Sequence, residues 1–146
     1  MKKIISILGS TGSIGIHSLK IFNKNKKLFN FYIFVADKNY NLICKQIIRY
    51  KPKIFIINNP DVLKKVKIRF KEKKIKIFDA KYLQGKNIKK SDITIAAIPG
   101  IAGLKPTIEL VRKSKKILLA NKESIICGWN FIKKAAIQNK TKIIPI

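Results

Sequence analysis

The stretch that decides the fold is Ile4-Ile5-Ser6-Ile7-Leu8-Gly9-Ser10-Thr11-Gly12-Ser13-Ile14-Gly15, an almost unbroken apolar run followed at once by three evenly spaced glycines. The apolar run predicts a strand that is buried on both faces. Gly9–Gly15 then leads into a predicted helix over residues 14–24. Strand, glycine loop and helix in this order are typical of a site that holds a dinucleotide pyrophosphate at the helix start. A purely structural turn is the alternative.

Strand and helix patterns alternate along the rest of the chain. Further strands are predicted over Phe31–Ala36, Ile54–Ile57, Ile75–Phe78, Ile93–Ala97, Ile117–Ala120 and Lys142–Ile146. Helices are predicted over residues 40–50, 61–73, 104–113 and 124–139. This alternation predicts an α/β, Rossmann-like, doubly wound fold with a mostly parallel sheet of about seven strands. Residues 1–146 are expected to form one domain.

The charge of the chain is its most conspicuous compositional feature. There are 33 basic and 7 acidic residues, for a net charge of +26, and 30 Lys stand beside 3 Arg, 30 Ile and 11 Asn. The lysines are spread over the whole chain, and base recognition favours Arg, so we expect no specific nucleic-acid partner. Lys, Ile and Asn are the residues of A/T-rich codons, which explains all three excesses together.

Composition also limits the compartment. The longest apolar runs have about five residues, too few to span a membrane. Cys44 and Cys127 form no disulfide framework and no metal-binding motif, which fits a reducing cytoplasm.

The second predicted strand ends in Val35-Ala36-Asp37-Lys38-Asn39, where dinucleotide folds recognise the adenosine ribose. The carboxylate of Asp37 suits a free 2′-hydroxyl, whereas Lys38 suits a 2′-phosphate. These residues therefore leave NAD and NADP open, and both side chains could instead be solvated turn residues.

A second polar group follows the strand at Leu118–Ala120. Asn121, Lys122 and Glu123 are expected at the carboxyl end of that strand, beside the cofactor crevice. Lys122 there could bind a substrate phosphate or carboxylate, while Asn121 or Ser124 could equally be a helix cap. The backbone of Pro99–Gly103 either lines the same crevice or forms a plain turn. No acid pair, metal cluster or catalytic residue is evident in this chain.

Taken together, the motifs resemble one family. Gly9–Gly15, Val35–Asn39, Ala96–Thr107 and Leu118–Ser124 occur in the order and spacing of the N-terminal domain of the 1-deoxy-D-xylulose 5-phosphate reductoisomerases. The resemblance covers essentially the whole chain. It implies an NADPH-dependent enzyme of non-mevalonate isoprenoid synthesis that rearranges and reduces a sugar phosphate, uses Mg²⁺ or Mn²⁺ and forms a homodimer.

The resemblance also implies roles for individual residues. Thr11, Gly12, Ser13 and Ile14 would hold the NADPH pyrophosphate and its neighbouring groups. Lys38 and Asn39 would face the ribose and its 2′-phosphate, with Asp37 beside them. Asn121 and Glu123 would contact the nicotinamide half, and Lys122 would reach the substrate.

Three departures from the family pattern stand out. Asp37 replaces a common Gly and would weaken the preference for NADPH, and Pro99 stiffens its loop. The family's Asp-Ser-Glu metal motif is expected just beyond Ile146, so the catalytic and C-terminal domains would be absent and the chain alone inactive. A free-standing nucleotide-binding module, acting as a sensor or with nucleic acid, and a decayed remnant are the alternatives.

Overall fold

The alternating pattern folds into one sheet of seven strands. In the computed structural model, which describes residues 1–146, the strands are β1 (Lys3–Leu8), β2 (Phe29–Ala36), β3 (Ile54–Ile57), β4 (Lys76–Phe78), β5 (Ser91–Ala96), β6 (Ser114–Leu119) and β7 (Lys142–Pro145). Their order across the sheet is β4-β3-β2-β1-β5-β6-β7, and every neighbouring pair is parallel. The Rossmann-like, doubly wound prediction is confirmed.

Five helices connect the strands. They are α1 (Ser13–Lys24), α2 (Tyr40–Tyr50), α3 (Pro60–Arg69), α4 (Leu104–Val111) and α5 (Lys122–Asn139). Short 3₁₀ helices lie at Lys26–Leu28, Ala80–Gln84 and Ile101–Gly103. None of the helices combines the length and the apolar character that crossing a membrane requires.

Side chains of each strand alternate between two hydrophobic cores. In β2, Ile33 and Val35 join the core beneath α4 and α5, whereas Phe34 and Ala36 join the core beneath α1, α2 and α3. The two cores contain 16 and 14 buried residues, so both faces of the sheet are covered. This double burial explains why the strands read as continuous apolar runs.

The sheet reverses its winding direction between β1 and β5. The chain moves outward from β1 through β2 and β3 to β4, then returns to pair β5 with the free side of β1 and continues to β7. The loops after β1 and β5 therefore diverge, and they leave a crevice at the carboxyl edge of the sheet. This reversal is where open α/β sheets bind their ligands.

Several predicted boundaries differ from the structure by one or two residues, and two differ by more. The helix predicted to reach Lys73 ends at Arg69. The chain turns directly after it, and the Lys73 N–H donates to the Phe70 carbonyl. The predicted helix was too long because the buried Phe70 continues the apolar spacing beyond the helix end. The sixth strand begins at Ser114 rather than Ile117. Ser114 is fully buried, and its hydroxyl lies 2.6 Å from that of Thr94, so a polar residue occupies a strand position that hydrophobicity does not reveal.

Candidate cofactor-binding site

The glycine loop is held between the ends of three strands. The N–H groups of Gly9 and Ser10 both donate to the carbonyl of Val35 in β2, each at 2.9 Å. Gly9 has a φ of 81°, and a Cβ there would lie 2.6 Å from the Ala97 carbonyl oxygen just after β5. Only glycine fits this left-handed turn, and the loop is fixed at the reversal point of the sheet.

The helix that follows the loop begins without a side-chain cap. Gly12 is the N-cap residue of α1, and the first turn contains no acidic side chain. By contrast, Asn39, Asn59 and Asn121 cap α2, α3 and α5 through their side chains. The first N–H groups of α1 are consequently available, together with the positive end of the helix dipole, to an anion.

A cleft of about 290 Å³ opens beside this helix start. Its walls are the glycine loop, the end of β2, the residue after β3 and the segment after β5; the lining residues are Gly9, Thr11, Gly12, Ala36, Asp37, Lys38, Asn39, Asn58, Ala97, Ile98 and Pro99. Five residues assigned to the cofactor by resemblance thus share one cleft. Ser13 and Ile14 lie next to it, in the first turn of α1.

The end of β2 presents one charge of each sign to the cleft. Asp37 and Lys38 both line the cleft, and both are exposed. Asn39 is partly committed, because its Oδ1 accepts a hydrogen bond from the Leu42 N–H at 3.1 Å and caps α2. The arrangement suits an adenosine ribose, and it keeps both the carboxylate and the ammonium group within the same cleft.

Asn121 lies outside the cleft and has a structural task. It is 3% exposed; its Oδ1 accepts from the Ser124 N–H at 2.9 Å, and its Nδ2 donates to the carbonyls of Ile98 and Gly100. Between the two possible caps, the structure therefore selects Asn121. Because both amide hydrogens are used within the protein, its side chain fastens the segment after β5 to the start of α5.

The two charged neighbours of Asn121 lie in the first turn of α5. Lys122 is exposed and Glu123 is half-buried, and Glu123 adds a favourable negative charge at the positive end of the helix. Both residues follow β6, next to β5 in the sheet. They are therefore beyond the cleft but on the same carboxyl edge.

Two residues near the cleft were not among the residues predicted for the site. Asn58 lines it from the end of β3, a position that the order of the strands could have revealed. Gln46, in α2, donates from its Nε2 to the Ser10 carbonyl of the glycine loop, and no local sequence signal marks it.

No group of three or more His, Cys, Asp and Glu residues is arranged to hold a metal ion.

The doubly wound sheet, the glycine loop and the cleft at the reversal point define a Rossmann-like domain of the dinucleotide-binding class. A family model described as 1-deoxy-D-xylulose 5-phosphate reductoisomerase matches residues 5–128. The chain belongs to the 1-deoxy-D-xylulose 5-phosphate reductoisomerase family.

Individual relatives agree with this assignment. The whole chain is 44% identical to part of 1-deoxy-D-xylulose 5-phosphate reductoisomerase from Buchnera aphidicola subsp. Schizaphis graminum, of which it covers 37%. The enzyme from Zymomonas mobilis in complex with NADPH matches 99% of the chain with a TM-score of 0.91 and 28% identity, over 38% of its own length.

A third similar structure is a DOX-P reductoisomerase in complex with NADPH, fosmidomycin and magnesium. It matches 98% of the chain with a TM-score of 0.87 and 25% identity, over 36% of its own length. The chain thus spans little more than a third of the relatives that it matches.

Proposed function

We propose that residues 1–146 are the NADPH-binding domain of a 1-deoxy-D-xylulose 5-phosphate reductoisomerase. The observation that carries this proposal is the uncapped start of α1, which opens on the cleft beside the glycine loop. Free N–H groups, a helix dipole and a hydroxyl on Thr11 suit a pyrophosphate. Relatives whose structures contain NADPH support the choice of cofactor.

Different residues of the cleft would bind different parts of the cofactor. Residues 11–14 would bind the pyrophosphate through backbone N–H groups and hydroxyls. Lys38 would pair with the 2′-phosphate, and Asn39 would face the ribose through its free Nδ2. Asp37 would oppose the 2′-phosphate by charge repulsion and reduce the margin by which NADPH is preferred over NADH.

The polar residues after β6 would act at the nicotinamide end of the cofactor, where the substrate reacts. Glu123 would contact the nicotinamide half, and Asn121 would support it by fixing the segment after β5. Lys122, exposed at the start of α5, would bind the sugar-phosphate substrate as a point charge. NADPH supplies the hydride in this chemistry.

For the whole protein we propose the family reaction. 1-Deoxy-D-xylulose 5-phosphate is rearranged and reduced to 2-C-methyl-D-erythritol 4-phosphate, in the cytoplasm, by a homodimer that uses Mg²⁺ or Mn²⁺. Catalytic residues and metal ligands would lie outside residues 1–146. The 146 residues alone are then expected to bind nucleotide without turnover.

Cofactor binding is tested by titrating the chain with NADPH and NADH and following nicotinamide fluorescence. We expect saturable binding of NADPH, and we expect Lys38→Met to weaken NADPH about tenfold, equivalent to about 1.4 kcal/mol, by removing the partner of the 2′-phosphate. NADH, which lacks that phosphate, should bind wild type and Lys38→Met alike. If the chain binds neither NADPH nor NADH, the proposal is disproved. If Lys38→Met loses the same affinity for both nucleotides, the role of Lys38 is disproved.

A further inference from the structure

Gln46 is a buried amide on the core face of α2. It is 2% exposed, and Ile43 and Ile47 beside it belong to the hydrophobic core. Its Nε2 donates to the carbonyl oxygen of Ser10 at 2.7 Å. A single side chain thus connects the core beneath α2 with the glycine loop, 36 residues earlier in the chain.

Packing alone does not account for an amide at this position. The Oε1 of Gln46 is buried without a partner, and so is the hydroxyl oxygen of Ser10. Burial of an unpaired polar oxygen is unfavourable, and a Met or Leu would fill the same space without that cost. The useful contribution of Gln46 is therefore its hydrogen bond to the Ser10 carbonyl.

That hydrogen bond controls the direction of the next N–H group. The chain has no cis peptide bond, and in a planar trans peptide the C=O and the following N–H point to opposite sides. Because Gln46 holds the Ser10 carbonyl toward the core, the Thr11 N–H points away from it. None of the backbone hydrogen bonds outside the helices and strands uses the Thr11 N–H, and Thr11 lines the cleft.

We propose that Gln46 is a positioning residue for the cofactor pyrophosphate. It does not touch the ligand; it fixes the peptide between Ser10 and Thr11 so that the Thr11 N–H is presented to a phosphate oxygen before the ligand arrives. Orientation established in advance is favourable because binding then pays no cost to order the loop. This inference rests on the proposed binding of NADPH by residues 1–146.

The test compares Gln46→Met, which removes the donor but keeps the length of the side chain, with Ile47→Val as the control on the same helix face. We expect the NADPH dissociation constant to rise about tenfold in Gln46→Met and less than about twofold in Ile47→Val. Adenosine 2′-monophosphate, which has no pyrophosphate, should bind wild type and Gln46→Met equally in an NMR titration. Gln46→Leu replaces Gln46→Met if thermal unfolding shows that the latter is not folded.

Each outcome bears on a separate claim. Unchanged NADPH affinity in Gln46→Met would overturn the positioning role and leave the cofactor proposal intact. Equal losses for NADPH and adenosine 2′-monophosphate would mean general loosening of the domain, which also overturns it. Wild-type protein that binds no NADPH would overturn the proposed function itself, before any variant is compared.

Discussion

Gly12 and Gly15 are three residues apart, but they have opposite surroundings. A Cβ on Gly15 would overlap the Gly9 carbonyl oxygen and lie 2.8 Å from the Cα of Ser10. A Cβ on Gly12 would meet nothing closer than 3.4 Å, and Gly12 has a φ of −79°, which any residue adopts. The protein alone thus requires glycine at 15 but not at 12, where the proposed close approach of a pyrophosphate would explain it.

Alanine substitutions should separate these two requirements. Gly12→Ala is expected to lower the unfolding free energy by no more than about 1 kcal/mol, the scale of a weaker N-cap residue, while its methyl group would occupy the space of the proposed pyrophosphate and weaken NADPH binding about tenfold or more. Gly15→Ala should cost about 2 kcal/mol, because helix and loop must separate. Urea unfolding and nucleotide titration measure the two effects, and a Gly12→Ala variant with wild-type affinity would contradict this division.

Residues that directly follow predicted strands were the ones that sequence could assign to the cleft. Thr11, Gly12 and the segment 37–39 lie there because chain order alone puts them at carboxyl ends of neighbouring strands. Asn121 and Gln46 act through hydrogen bonds to backbone 21 to 36 residues away. Contacts over such separations depend on how loops pack, which no local pattern encodes.

At the scale of elements, Asp92 ties three strands together at the amino edge of the sheet. From β5, its carboxylate accepts a hydrogen bond from the Ile4 N–H in β1 at 2.7 Å and pairs with Lys115 in β6 at 2.7 Å. The Ile4 N–H, followed by Lys115, lowers the pKa of Asp92 from its usual value. The ionised carboxylate is therefore stabilised in the folded state.

The contribution of Asp92 should depend on pH in one direction. Because its pKa is lower in the folded chain, the stabilisation is complete above the unfolded pKa of about 3.9 and is lost as the pH falls through the folded pKa. Asp92→Asn should cost about 1 kcal/mol at pH 7, since the amide keeps an acceptor but loses the charge. In urea unfolding across this pH range, the difference in unfolding free energy between Asp92→Asn and wild type should shrink in acid. The exposed Glu72→Gln control should differ little from wild type at pH 7. A difference between Asp92→Asn and wild type that does not change with pH would contradict stabilisation by the ionised carboxylate.

Periodicity predicted the order of elements well because both faces of the sheet are buried. Ile54–Ile57 and residues 40–50 agree with the observed β3 and α2 without change. The errors fall where buried polar or turn-forming residues decide a boundary, as at Ser114 and Phe70. A buried hydrogen bond between strands sets the first limit and a local turn sets the second, and hydrophobic spacing reports neither.

At the scale of the molecule, several cations that are far apart in the sequence line one groove. A groove of about 570 Å³ opens on the amino edge, opposite the cofactor cleft. Its lining includes no acidic residue and seven cations, namely Lys2, Lys26, Lys27, Arg49, Lys51, Lys53 and Lys89. Dispersed lysines in the sequence thus meet in space, and this surface will attract polyanions whether or not it has been selected to do so.

Salt should separate this general attraction from cofactor binding. Attraction to many phosphates releases condensed counterions, so single-stranded DNA should lose roughly a hundredfold or more in affinity between about 50 and 200 mM salt. NADPH should lose much less, because uncharged backbone N–H groups of the glycine loop carry part of its binding. Fluorescence titrations with NADPH and with DNA at the two salt concentrations test this difference. Because the groove and the cleft lie at opposite edges of the sheet, DNA should not displace NADPH. Saturable DNA binding that persists at the higher salt would instead indicate a dedicated nucleic-acid site, against the codon-usage explanation of the lysines.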